Sequence, residues 1–180
     1  ILTKPLGTGT LFAAEMRGQA RAPWIEQALH CMQLSNAAAA ACLLDHGATA
    51  CTDVTGFGLA GHLYEMARAS GLDAVLRLGA LPALPGALDV LQRGIASSLA
   101  PDNLRLRRVV EASASTSADP RFALLFDPQT AGGLLGAVPP DKAEACVATL
   151  RQAGYGEAVI VGAFTPRSGA EARIRLQAGF

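Results

Sequence analysis

The stretch 52–63, TDVTGFGLAGHL, places an aspartate shortly before three glycines. Asp53 offers a carboxylate, and Gly56, Gly58 and Gly61 have the G-x-G-x-x-G spacing of a dinucleotide-binding turn. Two kinds of chemistry are therefore open. The glycines can bring backbone amides to a pyrophosphate at a helix N-terminus, or they can form a turn that presents the carboxylate.

The sequence lacks the acidic residue that a dinucleotide-binding fingerprint needs after its glycines. The fingerprint requires an acidic residue about 20 positions further on, which binds the ribose hydroxyls. Here the next strand ends in VLRLGAL, and no acid follows it until Asp89, although Arg77 has the charge for a 2′-phosphate. We therefore favour the carboxylate hypothesis. Asp53 then either binds a ligand or serves as an N-cap or Asx-turn for the following helix, and the residues alone leave both roles open.

Other polar residues near glycines are candidates for nucleotide binding. Gly7, Thr8 and Gly9 can line phosphates with backbone amides, or they form a turn that connects domains. Lys4 is a phosphate contact or a surface charge at a strand end. Asn36 is a ligand or a buried amide that fixes packing.

The remaining marked residues predict structural roles. We assign His30, His46 and His62 to structural positions, with His62 on the helix that follows the glycine turn. Asp127, in DPQTAGG, predicts an Asx-turn that organises a loop. Asn103, in APDN, predicts a helix cap.

Alternating strand and helix patterns must position these residues. The pattern predicts a short strand before Pro5 and a loop over 5–9, followed by a helix from Pro23 to Gly47 with an inward stripe of Ile25, Leu29 and Met32. Further strands are predicted at 48–54, 72–79, 122–127, 132–138, 158–164 and 172–177, and further helices at 58–71, within 83–94 and at 140–154. Asp53 then lies at the C-terminal end of a strand, where α/β sheets place ligands. The alternation predicts an α+β or three-layer α/β/α domain.

Composition restricts the class of protein. The 180 residues suit one domain, and 15 basic residues balance 15 acidic ones, so we expect no nucleic-acid partner. The longest apolar run, 37–44, is far shorter than the ~20 residues of a membrane span, so we expect a soluble protein without a membrane partner. The four cysteines form no C-x-x-C pair and predict reduced core thiols of a cytoplasmic protein. Because the chain begins with Ile1, we expect it to be a piece of a longer protein.

Five segments resemble, in the same order, the C-terminal half of the selenophosphate synthetases, also called selenide, water dikinases. They are LTKPLGTG at 2–9, SNAAAA at 35–40, TDVTGFGLAGHLYEM at 52–66, LPALPGALDVLQRGIASSLAPDNLR at 81–105 and FDPQTAGGLLGAVP at 126–139. The wider aminoimidazole ribonucleotide synthetase-like superfamily shares the fold but not the pairing of TDVTGFGL with DPQTAGGLL. The resemblance implies an α+β fold, the three-layer α/β/α C-terminal domain of that superfamily, as one domain over 1–180.

The resemblance also implies an activity. Selenophosphate synthetases convert ATP, selenide and water into selenophosphate, AMP and phosphate with Mg²⁺, and their reactive Cys or selenocysteine and essential Lys lie in the N-terminal half. No catalytic residue is therefore expected in this chain, whose partners are that N-terminal half and, at full length, a second copy. By resemblance Asp53 is a magnesium ligand, and Lys4, Gly7, Thr8, Gly9 and Asn36 are candidates for the nucleotide site. The alternatives are another ATP-dependent synthetase of the superfamily and a nucleotide-binding module without chemistry.

Overall fold

The computed structural model describes residues 1–177 as short helices and strands; the last three residues of the predicted 1–180 domain lie outside this range. The α-helices are Thr8–Glu15 (α1), Ala22–Gln33 (α2), Ala37–Asp45 (α3), Gly58–Ser70 (α4), Ala87–Gln92 (α5), Ala100–Asn103 (α6), Ala114–Ala118 (α7), Pro120–Leu124 (α8) and Ala143–Gln152 (α9). The strands are Ala50–Asp53 (β1), Leu72–Arg77 (β2), Val110–Glu111 (β3), Leu134–Ala137 (β4), Gly162–Pro166 (β5) and Ile174–Gln177 (β6). Three 3₁₀ helices lie at Leu78–Ala80, Leu104–Val109 and Pro140–Lys142. None of the helices between residues 1 and 177 has the length and apolar character needed to cross a membrane.

The strands form two sheets. β1 pairs antiparallel with β4, with Asp53 opposite Leu134, and Leu2 adds isolated bridges to Leu135 and Val159. The second sheet has the order β3-β6-β2-β5, in which β2 runs parallel to β6 and antiparallel to β5. β1 and β2 thus lie in different sheets, whereas a dinucleotide-binding unit requires the two to be parallel in one sheet.

Three apolar clusters hold the helices to the sheets. α4 packs through residues such as Leu59, Leu63 and Met66 in the main cluster with β2 and β6, and it ends at Gly71 in the left-handed conformation, as predicted. α3 and α9 pack together with β4. α1, α2 and α5 share a third cluster. The mixture of helices and sheets confirms the α+β class.

The predicted helix over 23–47 is wrong, because the chain forms two helices in this range. Leu34 leaves α2 in an extended conformation, and α3 begins at Ala37 after Asn36. The predicted inward stripe is wrong for Leu29, which is 44% exposed, and is confirmed for Ile25, which packs partly buried against the α1 and α5 cluster. Ala28 is fully buried in the same cluster. The small alanine side chain allows close packing of α2, which a hydrophobicity pattern does not reveal.

Two further segments differ from the sequence prediction. The apolar run 122–127 is not a strand; Pro120 and an N-cap by Asp119, whose side chain accepts a hydrogen bond from Arg121 N at 2.8 Å, start α8 instead. A short apolar run fits a buried strand and a buried helix equally well. The predicted loop over 5–9 also ends early, since α1 begins at Thr8.

The cysteines occupy three different environments, and none of them forms a disulfide. Cys42 and Cys146 are buried, as predicted for core thiols. The prediction is wrong for Cys51, which is exposed on β1, and Cys31 is half-buried in α2. In a short strand of a two-stranded sheet, alternate side chains point to solvent, and Cys51 has that position.

Candidate functional site

Asp53 ends β1 with its side chain exposed to solvent. Within residues 1–177 its carboxylate has no hydrogen-bond or ion-pair partner. The N-cap position of α4 belongs to Phe57 and carries no side-chain cap. The cap alternative for Asp53 is therefore wrong, and its carboxylate is free to accept a cation.

Of the glycines after Asp53, Gly56 is open to solvent, whereas Gly58 at the start of α4 lies against backbone. Gly58 has a left-handed φ of 68°, and a Cβ atom at this position would lie 2.8 Å from Leu125 O. The same oxygen accepts a hydrogen bond from Ala60 N at 2.9 Å. The start of α4 is thus closed by backbone at Gly58, and with β1 and β2 in different sheets the turn does not belong to a dinucleotide-binding unit.

His62 fixes the turn between Asp53 and α4. Thr55 N donates a hydrogen bond to His62 Nε2 at 3.0 Å, so this nitrogen must be unprotonated. Burial lowers the pKa of His62, with the nearby charge of Asp53 acting in the opposite direction. The contact confirms the structural role predicted for this histidine.

Asn103 holds the same turn from the other side. Its Nδ2 donates to Gly56 O at 2.8 Å and to Phe126 O at 3.0 Å. The prediction of a helix cap is wrong, because Asn103 is the last residue of α6 and its side chain bridges two distant backbone segments.

Residues 127–133, here called the 127–133 loop, run beside the Asp53 turn. Gln129 N donates to Thr55 O at 3.0 Å, and Val54 N donates to Gly133 O at 2.8 Å. A Cβ atom at Gly132 would overlap Val54 O. The loop and the strand end thus approach each other through bare backbone, which requires glycine at this position.

The other side of the loop meets the N-terminal segment. Gln129 Oε1 accepts hydrogen bonds from Gly7 N at 3.0 Å, from Thr8 N at 3.2 Å and from Thr8 Oγ1 at 3.2 Å. Thr130 N in turn donates to Thr8 Oγ1 at 3.0 Å. Gly9 lies so close to Pro128 that a Cβ atom there would overlap Pro128 O. The amides of Gly7 and Thr8 are therefore engaged within the chain. This favours a turn over a phosphate-binding role for these residues.

Lys4 and Asn36 complete the contacts of the loop. Lys4 is 2% exposed, and its Nζ donates to Leu34 O and, at 3.1 Å, to Ala131 O. The surface-charge alternative for Lys4 is thus wrong, and burial lowers its pKa. Asn36 Nδ2 donates to Gly132 O at 2.9 Å, while its buried Oδ1 has no hydrogen-bond partner within residues 1–177.

Asp127 begins the loop as a buried carboxyl. Its Oδ2 accepts from Gln129 Nε2 at 2.9 Å, whereas Gln129 N, the amide an Asx-turn would use, donates to Thr55 O. The Asx-turn prediction is therefore wrong. Its Oδ1 faces the first turn of α1 without a hydrogen bond inside the described chain. Burial raises the pKa of Asp127 to about 7, and the amides of Thr10 and Gly9 offset only part of this effect.

The 127–133 loop thus lies beside the residues that the sequence singled out as candidates for metal or nucleotide binding. It contacts Lys4, Gly7, Thr8, Gly9 and Asn36 on one side and the backbone next to Asp53 on the other. Sequence reasoning missed Gln129, whose side chain joins the loop to the N-terminal segment. The signal was a long polar side chain between Pro128 and the two glycines of DPQTAGG.

An exposed carboxylate on a rigid strand end fits one ligand position of Mg²⁺. This ion takes one or two carboxylates and completes its shell with water and phosphate oxygens. Asp53 belongs to no cluster of three or more potential ligands within residues 1–177. Its site would therefore need phosphate oxygens or carboxylates from elsewhere to complete it.

Comparisons with known proteins identify the family of the chain. The model of the family described as AIR synthase related protein, C-terminal domain, matches residues 1–175. The chain is 39% identical over 167 residues to a selenide, water dikinase of Geobacter metallireducens, covering 93% of this chain and 48% of that protein. It is 42% identical over 164 residues to a selenide, water dikinase of Pelobacter propionicus, covering 90% of this chain and 47% of that protein. The chain thus spans about half the length of the curated relatives it matches.

Solved structures share the fold at lower identity. A crystal structure of the hydrogenase maturation protein HypE superposes with a TM-score of 0.65 at 18% identity, covering 92% of this chain and 43% of that one. HypE in complex with ATP gives a TM-score of 0.68 at 17% identity, covering 97% of this chain and 46% of that one. At this identity the likeness concerns the fold alone.

Proposed function

Because the chain belongs to the family of AIR synthase related protein C-terminal domains, we propose that it is the C-terminal half of a selenophosphate synthetase. The observation that carries the proposal is an identity of 39% and 42% to two selenide, water dikinases over 90% or more of this chain. The proposed reaction converts ATP, selenide and water into selenophosphate, AMP and phosphate. In this proposal residues 1–180 form one domain, and the nucleotide and the reactive thiol are held mainly by an N-terminal half.

Asp53 is the proposed contribution of this chain to magnesium binding. The bound ion would supply positive charge that neutralises the negative charge developing during phosphoryl transfer. The exposed, unpartnered carboxylate supports this role, since no internal contact within residues 1–177 competes for it. His62 and the 127–133 loop fix the backbone of Val54 and Thr55, directly after Asp53, and so hold the carboxylate in place.

The residues first considered for nucleotide binding receive a different proposed role. Their polar groups are bound mainly to the 127–133 loop, so they position this wall of the site rather than contact phosphate directly. The residues are Lys4, Gly7, Thr8, Gly9 and Asn36. Asn36 keeps one unpaired acceptor within the described chain and is the one for which we retain a direct contact with the nucleotide.

The remaining partners follow from the same proposal. The full-length enzyme would act in the cytoplasm as a homodimer, with ATP and selenide as substrates. The half-length coverage of the relatives supports an N-terminal half as the covalent partner of this domain.

Asp53→Asn in the full-length protein tests the proposed function. We expect the rate of selenide-dependent AMP formation to fall by two orders of magnitude or more, on the order of 3 kcal/mol of transition-state stabilisation, with partial rescue by raised magnesium. The thermal midpoint should barely change, because Asp53 is exposed and makes no internal contact in the described chain. Asp141→Asn, at an exposed aspartate outside this site, is the matched control and should keep the parental rate.

Two outcomes would contradict the proposal in different ways. A near-parental rate of Asp53→Asn would remove Asp53 from the magnesium site. ATP consumption by the parent that does not depend on selenide would instead favour another ATP-dependent synthetase of the same superfamily.

A further inference from the structure

Two thiols and an imidazole meet where α3 packs against α9. Cys42 and His46 stand four positions apart at the end of α3, which places them on one face of the helix. Cys146 comes from α9. One potential ligand atom from each of these residues lies within 4.8 Å of the other two.

The distances are close to those of a tetrahedral zinc site. With Zn–S of about 2.3 Å and Zn–N of about 2.0 Å, neighbouring ligand atoms are roughly 3.5–3.8 Å apart. Cys42 Sγ and His46 Nδ1 are already 3.7 Å apart. The remaining separations exceed the zinc values by roughly 1 Å at most, which side-chain rotation can supply.

We propose that Cys42, His46 and Cys146 bind a Zn²⁺ ion that links α3 to α9. Two thiolates and one imidazole are ligands that zinc prefers, whereas Mg²⁺ prefers oxygen ligands. The two sites therefore differ in chemistry, and this proposal is independent of the proposed function.

Burial favours a neutral metal complex at this place. Cys146 is 0% exposed and Cys42 is 7% exposed, in the apolar cluster formed by α3, α9 and β4. Two thiolate charges cancel the charge of Zn²⁺, so the loaded site buries no net charge. His46 is half-buried, which gives the ion a path from solvent and leaves a fourth coordination position for water.

Zinc binding must change one hydrogen bond of the metal-free site and remove the protons of its thiols. His46 Nδ1 lies 2.8 Å from Cys42 O, so the neutral ring donates its proton to this carbonyl. Zinc must either displace that proton or bind Nε2 after the ring turns. Burial also raises the pKa of Cys146 to about 11, so binding releases thiol protons. We therefore expect weaker binding than at a preformed site of four ligands.

Zinc and cobalt titrations of the folded, reduced 180-residue chain test the proposal. We expect one Zn²⁺ per chain in competition with a chromophoric chelator, and Co²⁺ should give the thiolate charge-transfer absorption of a tetrahedral site. Cys42→Ala, Cys146→Ala and His46→Asn should each weaken Zn²⁺ binding at least tenfold. Cys31→Ala and Cys51→Ala alter the two cysteines outside the cluster, and Asp53→Asn alters the proposed magnesium ligand. All three should bind as the parent does.

The His46→Asn variant keeps the proposal testable if a cysteine variant fails to fold. Cys146 is fully buried and its replacement can unfold the chain, whereas His46 is half-buried at the end of a helix. The proposal is overturned if the folded parent binds no Zn²⁺, or if folded His46→Asn binds it as tightly as the parent. It is equally overturned if Cys31→Ala or Cys51→Ala abolishes binding, or if bound Co²⁺ shows no thiolate charge transfer.

Discussion

Two ionisable side chains in the wall of the proposed site have pKa values shifted in opposite directions. Burial raises the pKa of Asp127 to about 7 and lowers that of His62, so in both cases the folded chain favours the neutral form. The stability that depends on neutral His62 is present above its unfolded pKa of about 6.5 and is lost as pH falls through the lowered value. For Asp127 the stability is present at low pH and is lost as pH rises through about 7.

Asp127→Asn should therefore remove a decline in stability toward alkaline pH. In the parent, the free energy of unfolding should decrease between pH 5 and pH 8 by up to about 3 kcal/mol from this group, because the unfolded chain ionises near the ordinary pKa of about 3.9 and the folded chain only near about 7. Asparagine keeps an oxygen for Gln129 Nε2 but carries no charge. Urea unfolding at the two pH values measures the difference, with Asp141→Asn as an exposed control. Equal pH dependence in the parent and Asp127→Asn would show that Asp127 is not the source.

Among the elements, the 127–133 loop connects the parts of the site. It is bound to the N-terminal segment through Gln129, and it approaches the end of β1 through Gly132 and Gly133. A Cβ atom at Gly133 would lie 2.6 Å from Lys4 N. The position of Asp53 thus depends on backbone contacts that a single methyl group can disturb.

Gly132→Ala should destabilise the chain by about 1–3 kcal/mol, because the added methyl group overlaps Val54 O, which belongs to backbone and cannot rotate away. In the full-length protein, magnesium-dependent activity should fall as well, since Val54 follows Asp53. Gly56→Ala is the matched control: the space around Gly56 is open and its φ is not left-handed. Denaturant unfolding measures both variants. An equal effect of the two substitutions would contradict the role given to the loop contact.

At the scale of the whole molecule, the chain matches about half of each relative, 48% and 47% of two selenide, water dikinases. The proposed magnesium site has a single carboxylate from this chain, that of Asp53. None of the four cysteines lies in a glycine-rich segment followed by lysine, so the chain carries no candidate for the reactive thiol. We therefore propose that the chain presents one wall of a site whose other ligands lie in an N-terminal half.

The purified 180-residue chain should neither bind ATP tightly nor convert it to AMP in the presence of selenide and magnesium. The physical reason is that one carboxylate cannot position a triphosphate, and positioning supplies much of the catalysis in phosphoryl transfer. Chromatographic measurement of AMP tests this, with the full-length protein assayed in parallel. Selenide-dependent AMP from the isolated chain would contradict the division of labour between the halves.

The sequence by itself determined the elements with strong local signals. The alternating pattern before Asp53 predicted β1, and the amphipathic pattern closed by Gly71 predicted α4. Proline near the start and Gly154 after the end predicted α9. The order of the resembling segments indicated the family and singled out Asp53. These features depend on the periodicity of apolar residues, on proline and glycine at helix ends and on short motifs, all of which are local properties of the chain.

The tertiary structure alone decided which polar groups are free. Lys4 is buried rather than exposed, and Gln129 engages the amides of Gly7 and Thr8 across 122 and 121 positions of sequence. Cys42 meets Cys146 across 104 positions. The burial and the hydrogen-bond partner of a side chain are set by segments far away in sequence, and local patterns carry no information about which segment that will be.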